Sequence, residues 1–569
     1  MKKINISIMK KKLNRLLVEQ LQEQRKPEII ANLKRNWYFP ISAMAFYCLN
    51  ATLTLGYFIG LPIAFIASLI ISSQIPSILA YTKKNHMRLQ VVSMLTALGI
   101  CWGEQEAFYA DWSISPQAQA LEDMLPISIN IPSIVSLIGA VFSVFFVYFC
   151  VLIFWKQMLK AFSKVGIFSD IKATECIIYG VLLMVFLSWI IVAFAQTEAF
   201  YGTEYDFDII YTSDSAFLVK GNAYLALTHA ENDLRQPLFA VFAAPFIGIP
   251  YLFGRLFKTT PSVQAMLINS VQVIMLFVAN FILTKMMKLS PMKRICFILL
   301  TCCTYTHLLF TLMMEQYIVA YFWLIFCLYL ISEKQQPDRI ALWGAGGTML
   351  TSMVLLPFMT ENSPIRNFKE WFMDVVKYGI EFVILILIFC RFDVIFYLTT
   401  KISMLRGFTG HGLTMTDKIF QYIEFVSNCF VAPNAGVNTT AVEHISWQLN
   451  TVTGLNIVGV IILLLVFIST IWNRDKKSCL IAAGWIGFSV IILVGFGWGT
   501  KENGLILYAL YFGWAFLVLL FQLVEKIERK MNVKYLLMLI SVFSAVVLGV
   551  INVPAIIEMV NFAITYFPV

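Results

Sequence analysis

The sequence predicts an all-α fold, a polytopic membrane protein of about 12 to 14 spanning helices, each near the ~20 apolar residues that cross a hydrocarbon core. Three observations predict it. Hydrophobic residues make up 59% of the chain and charged residues 13%, with a mean hydropathy of +0.77; a soluble domain carries about a quarter charged residues. The apolar residues fall in long runs, whereas a membrane β-barrel would show segments of roughly 10 residues with alternating polarity. The charges between the runs differ in sign from loop to loop, as expected where cytoplasmic loops collect Lys and Arg.

Residues 1–36 form a basic arm, with ten Lys/Arg against three Glu. Leu13, Leu16, Leu17 and Leu21 have helical spacing, which fits a helix on an anionic inner leaflet and equally a polar tail that sets topology. The first apolar run begins near Trp37, too late and too long for a signal peptide, and reads as the first span. Spans are expected near 37–58, 60–80, 91–103 and 128–155, then 174–198, 263–284, 295–313, 316–332, 340–357, 376–397, 454–472, 479–497, 504–524 and 535–553. The basic loops 81–90, 156–173, 285–294 and 473–477 are assigned to the inside, and 104–126, with five acids and no base, to the outside. That places the N-terminus in the cytoplasm and the loops 199–262, 399–453 and 498–503 on the extracytoplasmic side. If 237–257 also crossed, the basic loop 285–294 would lie outside. With Pro237, Pro245 and Pro250, that stretch is expected to be an apolar helix at the outer interface. The stretch 340–357 is expected to enter and leave on the inner side. Domains are expected at 37–160, an N-terminal group of membrane helices, and 174–569, a membrane module that carries the outer loops.

The chemistry concentrates in the first large outer loop. From Glu198 to Gln236, seven carboxylates (Glu198, Glu204, Asp206, Asp208, Asp214, Glu231, Asp233) accompany only Lys220 and Arg235. Asp206-Phe-Asp208 has the form of a triplet that holds a divalent cation through oxygen ligands, and also that of an ordinary solvated acidic loop. Tyr201, Tyr205, Phe207 and Tyr211 interleave with the acids; such rings stack on sugar faces or line a membrane interface. His411, Glu443, His444, Asp417 and Glu424 lie in 399–453 without zinc-ligand spacing. The cysteines sit mostly inside apolar runs, where they pack as small hydrophobes, and His307 within a span reads as a packing residue. No nucleotide-binding glycine loop, nucleophile elbow or nucleic-acid signature appears.

After residue 174 the arrangement resembles the GT-C superfamily of membrane glycosyltransferases. The residues that carry the resemblance are a span at 174–198 followed by Asp206, Asp208 and Asp214; Arg235-Gln236-Pro237-Leu238-Phe239 where that superfamily often has a His-Pro-Leu motif, with Gln236 in place of the histidine; Glu315-Gln316-Tyr317 at a span end; and Gly495-Phe-Gly-Trp-Gly-Thr-Lys501-Glu502-Asn503 followed by Tyr508 and Tyr511. It covers roughly 174–560. The resemblance implies transfer of a sugar from a polyprenyl-phosphate donor to a cell-envelope glycan, lipid or protein at the outer face of a cell membrane. Asp214, then Asp208, would act as general base. Arg235, then Lys501 and Arg406, would meet the donor phosphate, and Glu204, Asp206, Glu315, Glu502 and Tyr211 would contact substrate. No resident metal is implied beyond a possible divalent cation. Two other classes remain open: a transporter or flippase for a lipid-linked saccharide, which would place its polar groups at mid-depth, and a non-catalytic partner of an envelope-polymer assembly machine.

Overall fold

The computed structural model describes residues 36–49, 55–72, 75–85, 87–114, 131–202, 207–213, 215–220, 222–227, 234–333, 338–360, 362–389, 393–410, 412–439, 444–452, 454–500 and 504–569. The chain divides into two compact units, Met1–Trp155 and Lys156–Val569, the division falling at the start of the basic segment 156–173. Thr203 to Asp206, Asp214, His229, Glu231, Asp233, His411, Glu443 and Lys501 to Asn503 lie outside the described residues, as does the basic arm through Arg35.

The first unit holds α1 (Tyr38–Tyr47), α2 (Leu55–Ser72), α3 (Ile75–Asn85), α4 (Met87–Ile114) and the greater part of α5 (Ile131–Val165). Phe39 of α1 packs against Phe146 and Phe149 of α5, at 5.4 and 5.8 Å between ring centres. Ser42 locks the pair: its hydroxyl donates to the Phe142 carbonyl and accepts from the Phe146 amide at 2.9 Å. Helix α4 corrects the expected span 91–103. It runs on through Glu104 and Glu106, taken as part of an outer loop, because Glu, Gln and Ala are strong helix formers and Trp102 Nε1 donates to Glu106 Oε1 at 3.0 Å one turn on.

The second unit contains α6 (Ala173–Phe194), α7 (Ser215–Lys220), α8 (Phe239–Leu256), α9 (Pro261–Met286), α10 (Pro291–Cys302), α11 (Tyr305–Leu312), α12 (Gln316–Ser332), α13 (Arg339–Thr348), a 3-10 segment (Leu350–Phe358), α14 (Phe368–Phe389), α15 (Asp393–Gly407), α16 (Met415–Asn428), the antiparallel strands β1 (Ala435–Thr439) and β2 (Ile445–Leu449), α17 (Ile457–Trp472), α18 (Lys477–Ser489), a π turn (Val490–Gly495), a 3-10 turn (Gly504–Tyr508), α19 (Ala509–Met531) and α20 (Leu536–Tyr566). Among the described residues seven helices are long and apolar enough to cross a membrane: Ser136–Val165, Ala173–Phe194, Phe239–Leu256, Pro261–Met286, Lys477–Gly495, Leu505–Met531 and Leu536–Tyr566. The pair α10–α11, bent by 67°, would make an eighth. Further expected spans are realised as shorter pieces. Helices α12 and α17 are apolar but shorter, and 340–357 breaks at Met349 into α13 and the 3-10 segment.

Helices α12 and α19 form the core, buried along nearly their whole length. Close approach is bought with glycine on α13: a Cβ at Gly344 would lie 2.4 Å from the Trp323 ring of α12. Trp323 in turn donates from Nε1 to the Phe242 carbonyl of α8 at 3.2 Å, so α8, α12 and α13 form one block.

The basic segments meet at one end of this unit. Arg294 donates from Nε and Nη2 to the two carboxylate oxygens of Glu175 at 2.7 and 2.8 Å, and from Nη1 to Asp170 Oδ2 at 2.9 Å. Lys285 also pairs with Asp170. Lys293, Lys476 and Arg529 converge on Glu525, and Lys477 donates to the Ser332 carbonyl at 3.0 Å. Parts of the loops 199–262, 399–453 and 495–508 meet near the other end of α12, whose 17 residues rise about 25 Å.

Candidate functional site

At that second end, three sequence stretches are drawn together. The first is the Arg235-Gln236-Pro237-Leu238 turn. Helix α13 stops at Thr348, leaving its last carbonyls without intrahelical partners. The Gly347 carbonyl accepts from the Leu238 amide at 2.9 Å, and beyond the break the Leu350 amide donates to the Arg235 carbonyl at 2.7 Å. Glycine is required at 347, because a Cβ there would stand 2.7 Å from Leu238 Cβ. The turn is thereby fixed at both edges by main chain, ahead of α8. Its continuous helix carries both Pro245 and Pro250 internally, so the prolines do not divide that stretch.

The second stretch is the π turn and the loop after it. The π turn unwinds α18, and Gly497 and Gly499 take left-handed φ values of +67° and +74°, a region that side-chain-bearing residues avoid. The loop pairs with the segment after α15: Gly410 N donates to the Gly497 carbonyl at 2.8 Å and Gly499 N to the Phe408 carbonyl at 2.9 Å. Phe408 and Trp498 pack at 5.7 Å, and the Arg235 guanidinium sits 4.4 Å from the Phe408 ring centre, a cation–π geometry. Trp498 Nε1 donates to the Tyr508 hydroxyl at 2.7 Å, and Tyr508 meets Tyr317 edge to face at 5.3 Å.

Tyr317 leads into the third stretch. Glu315 is fully buried at the N-terminus of α12, where a carboxylate is favoured by the helix dipole. Its backbone is anchored by α9: Gln272 Nε2 donates to the Glu315 carbonyl, and one turn earlier Asn269 Nδ2 donates to the Thr311 carbonyl, both at 2.8 Å. Tyr224, buried beside Phe239 at 5.5 Å, has its phenol pushed well above the usual range, first by burial and second by the Glu315 carboxylate. The side-chain oxygens of Gln236 and Gln272 are buried with no hydrogen-bond partner among the described residues.

Asp208 and Tyr211 belong to a different group. The loop 207–213 docks on β2: Trp447 N donates to the Ile209 carbonyl, Tyr211 N to the Trp447 carbonyl, both at 2.7 Å, and Gln448 Nε2 to the Tyr211 carbonyl at 2.7 Å. Asp208 is exposed and its main-chain carbonyl accepts from Gln448 at 3.4 Å. Tyr211, expected to offer a ring face to a sugar, is instead 1% exposed, with its hydroxyl bonded to that of Tyr305. Burial pushes that phenol up to about 12. It anchors the loop.

Asp214, Glu204, Asp206, Lys501 and Glu502 lie outside the described residues. Of the residues weighed as metal ligands, Asp417 closes a capping box with Thr414 on α16, Glu424 accepts from Asn456 at 2.6 Å, and His444 stacks on Phe207 at 4.2 Å. No group of three or more His, Cys, Asp or Glu suited to a metal occurs among the described residues. His307 is a buried packing residue: Nδ1 meets Asn280 at 3.2 Å, and Phe186 and Phe277 meet the ring at 5.1 and 5.4 Å.

Several residues of the site were missed in the sequence. Asn269 and Gln272 carried a usable signal, since polar side chains one turn apart inside an apolar helix need hydrogen-bond partners on a neighbouring segment. Tyr224 and Phe408 carried none, because only tertiary contacts bring them in. Comparison with protein-family models, curated proteins and solved structures finds no match to this chain.

Proposed function

We propose that the chain is a multi-pass membrane glycosyltransferase that transfers a sugar from a polyprenyl-phosphate donor to a cell-envelope acceptor at the extracytoplasmic face. The observation that carries this reading is the meeting of Arg235, Glu315 and the Trp498–Tyr508 loop, three stretches of the GT-C-like pattern, at the end of the bundle remote from the basic ion-pair cluster. On the positive-inside rule that cluster is cytoplasmic, which turns the meeting point outward. Arg235 would bind the donor phosphate, its guanidinium held over the Phe408 ring and suited to bidentate contact with phosphate oxygens. Asp214, or Asp208 after it, would take the proton from the acceptor hydroxyl.

The test is turnover of radiolabelled polyprenyl-phosphate sugars by the purified chain in lipid nanodiscs. Loss of lipid-linked label is expected, with Arg235→Lys raising KM for the donor about tenfold or more, since an ammonium does not reproduce bidentate contact. Asp214→Asn is expected to abolish kcat. Full activity of Asp214→Asn would overturn the base assignment, and inert wild-type protein across the donors would overturn the reading.

One observation favours a second reading. The bent pair α10–α11 lies beside a buried polar network, in which the Tyr321 hydroxyl donates to Asn280 Oδ1 at 2.7 Å and Asn280 meets His307. Transporters build sites from broken helices. Movement of a lipid-linked saccharide between leaflets, without covalent turnover and lost on Asn280→Leu, would select it.

A further inference from the structure

Behind the 3-10 turn Gly504–Tyr508 lies a half-open cavity of about 200 Å³, lined by α16, the end of the β1–β2 hairpin, the start of α17 and that turn. Its wall on α16 is a single stripe, Gln421, Glu424, Phe425 and Asn428, at the i, i+3, i+4, i+7 spacing that places residues on one helix face. Three more carboxamides, Asn434, Asn450 and Asn456, line the opposite side. Among the described residues, no Lys, Arg or His lines it.

The hydrogen bonds separate these amides into two sets. Asn450 Nδ2 donates to Asn434 Oδ1 at 2.7 Å. Asn456 donates to Glu424 at 2.6 Å and caps α17 by accepting from Gly459 N at 3.0 Å. Those groups hold the wall together. Gln421 and Asn428 are different. The Gln421 Oε1 atom is buried with no hydrogen-bond partner among the described residues, and Asn428 is only 4% exposed while its amide makes no side-chain hydrogen bond to any described residue. Two turns apart on one stripe, both side chains belong to the lining of the same space.

We propose that this cavity binds one neutral pyranose ring of a saccharide. A carboxamide both donates and accepts, which matches a hydroxyl that does the same. Among the described residues of the lining no cation offers a phosphate or carboxylate a counter-charge, and the Glu424 carboxylate repels it. The Phe425 ring, with Leu449 and Leu505, supplies an apolar wall for the C–H face of the ring. The volume lies below the ~300–1,000 Å³ of sites for drug-sized ligands, which suits a single ring. Leu505 and Ile506 face this cavity while Tyr508, on the same short turn, meets Tyr317 and Trp498. A sugar unit here would therefore sit one turn of chain from the proposed transfer site. The assignment rests on the cavity, not on the transfer reaction: a chain that binds sugar without transferring it keeps this inference and loses the other.

The experiment is saturation-transfer NMR on the purified full chain with glucose, galactose and N-acetylglucosamine, and with glucose 6-phosphate and glucuronate as charged controls. At least one neutral hexose is expected to bind in the millimolar range, with the charged sugars at least tenfold weaker. Gln421→Leu and Asn428→Leu are each expected to weaken binding tenfold or more. Leu455→Trp fills the mouth from a position already 53% exposed, so it leaves the fold intact, and it is expected to abolish binding. Absence of binding by all three neutral hexoses, or binding that survives Leu455→Trp, would overturn the proposal.

Discussion

Replacing Glu175 by Gln should destabilise the second unit by about 3 kcal/mol. Arg294 is 2% exposed and Glu175 0%, whereas Asp170 is 52% exposed. The guanidinium is fully satisfied: Nε and Nη2 bond Glu175, Nη1 and Nη2 bond the Asp170 carboxylate and carbonyl, and Nη1 reaches the Leu289 carbonyl at 3.3 Å. Glu175 also accepts from the Lys172 amide at 3.1 Å and from Tyr179 at 3.3 Å. An opposite-charge pair ~4 Å apart at an effective dielectric near 20 is worth about 4 kcal/mol, and removing one partner of a buried pair costs about 3–5 kcal/mol. Asp170 stays behind as a half-exposed partner, which sets the value at the lower end. At ~2–4 °C per kcal/mol in domains of 150–250 residues, and less in larger units, the melting temperature should fall by about 5 °C. The assay is the monodisperse fraction on size exclusion after heating in detergent. In the double variant Glu175→Leu/Arg294→Leu both charges go together, so stability should return to within about 1 kcal/mol of wild type. If Glu175→Gln melts with the wild type, or the double variant melts as low as the single one, the pair is not the buried lock described above.

Gly347→Ala should cost about 1–3 kcal/mol through overpacking against Leu238. Because the same contact seats the Arg235 turn, it should raise donor KM in the turnover assay more than Gly344→Ala, which crowds only Trp323. Gly497→Ala places a side chain at φ +67° and should cost about 1–2 kcal/mol, read as a lower melting temperature. Lys285 first, then Arg294, holds the Asp170 carboxyl below the ordinary carboxylate range. A lowered folded-state value stabilises fully above the unfolded value of ~3.9 and is lost as pH falls through the folded one. Melting temperature measured against pH should therefore fall below about pH 4, with a shallower fall in Asp170→Asn. An unchanged acid limb in that variant would show that other carboxylates govern it.

Much of the helical plan was legible because hydropathy is a local property. The run at 535–553 is found as α20, extended to Tyr566, and 454–472 as α17. Boundaries failed where charged residues are also good helix formers, as at Glu104 and Glu106, and where Gly344, Gly346 and Gly347 precede the break in α13. The strand Ala435–Thr439 has little alternation, and β2 is bonded to Ile209 and Tyr211, more than 200 residues away in sequence. No local window contains that information. Helix α16 fell inside a stretch read as an outer loop, so its Gln421–Asn428 stripe was invisible as a stripe.

The candidate site divides in the same way. Arg235 and Glu315 were singled out by residue type beside apolar runs, and Trp498 and Tyr508 only by the resemblance to the GT-C superfamily. Gln272, Tyr224 and Phe408 enter through packing. By itself, the sequence determined that the chain builds long apolar helices and sorts its basic and acidic loops, because both follow from composition summed over neighbours. Only the tertiary structure decided which loop ends meet and which buried oxygens and amides remain without partners. Those depend on contacts such as Gly347 to Leu238, where the absence of one methyl group lets two segments a hundred residues apart share a hydrogen bond.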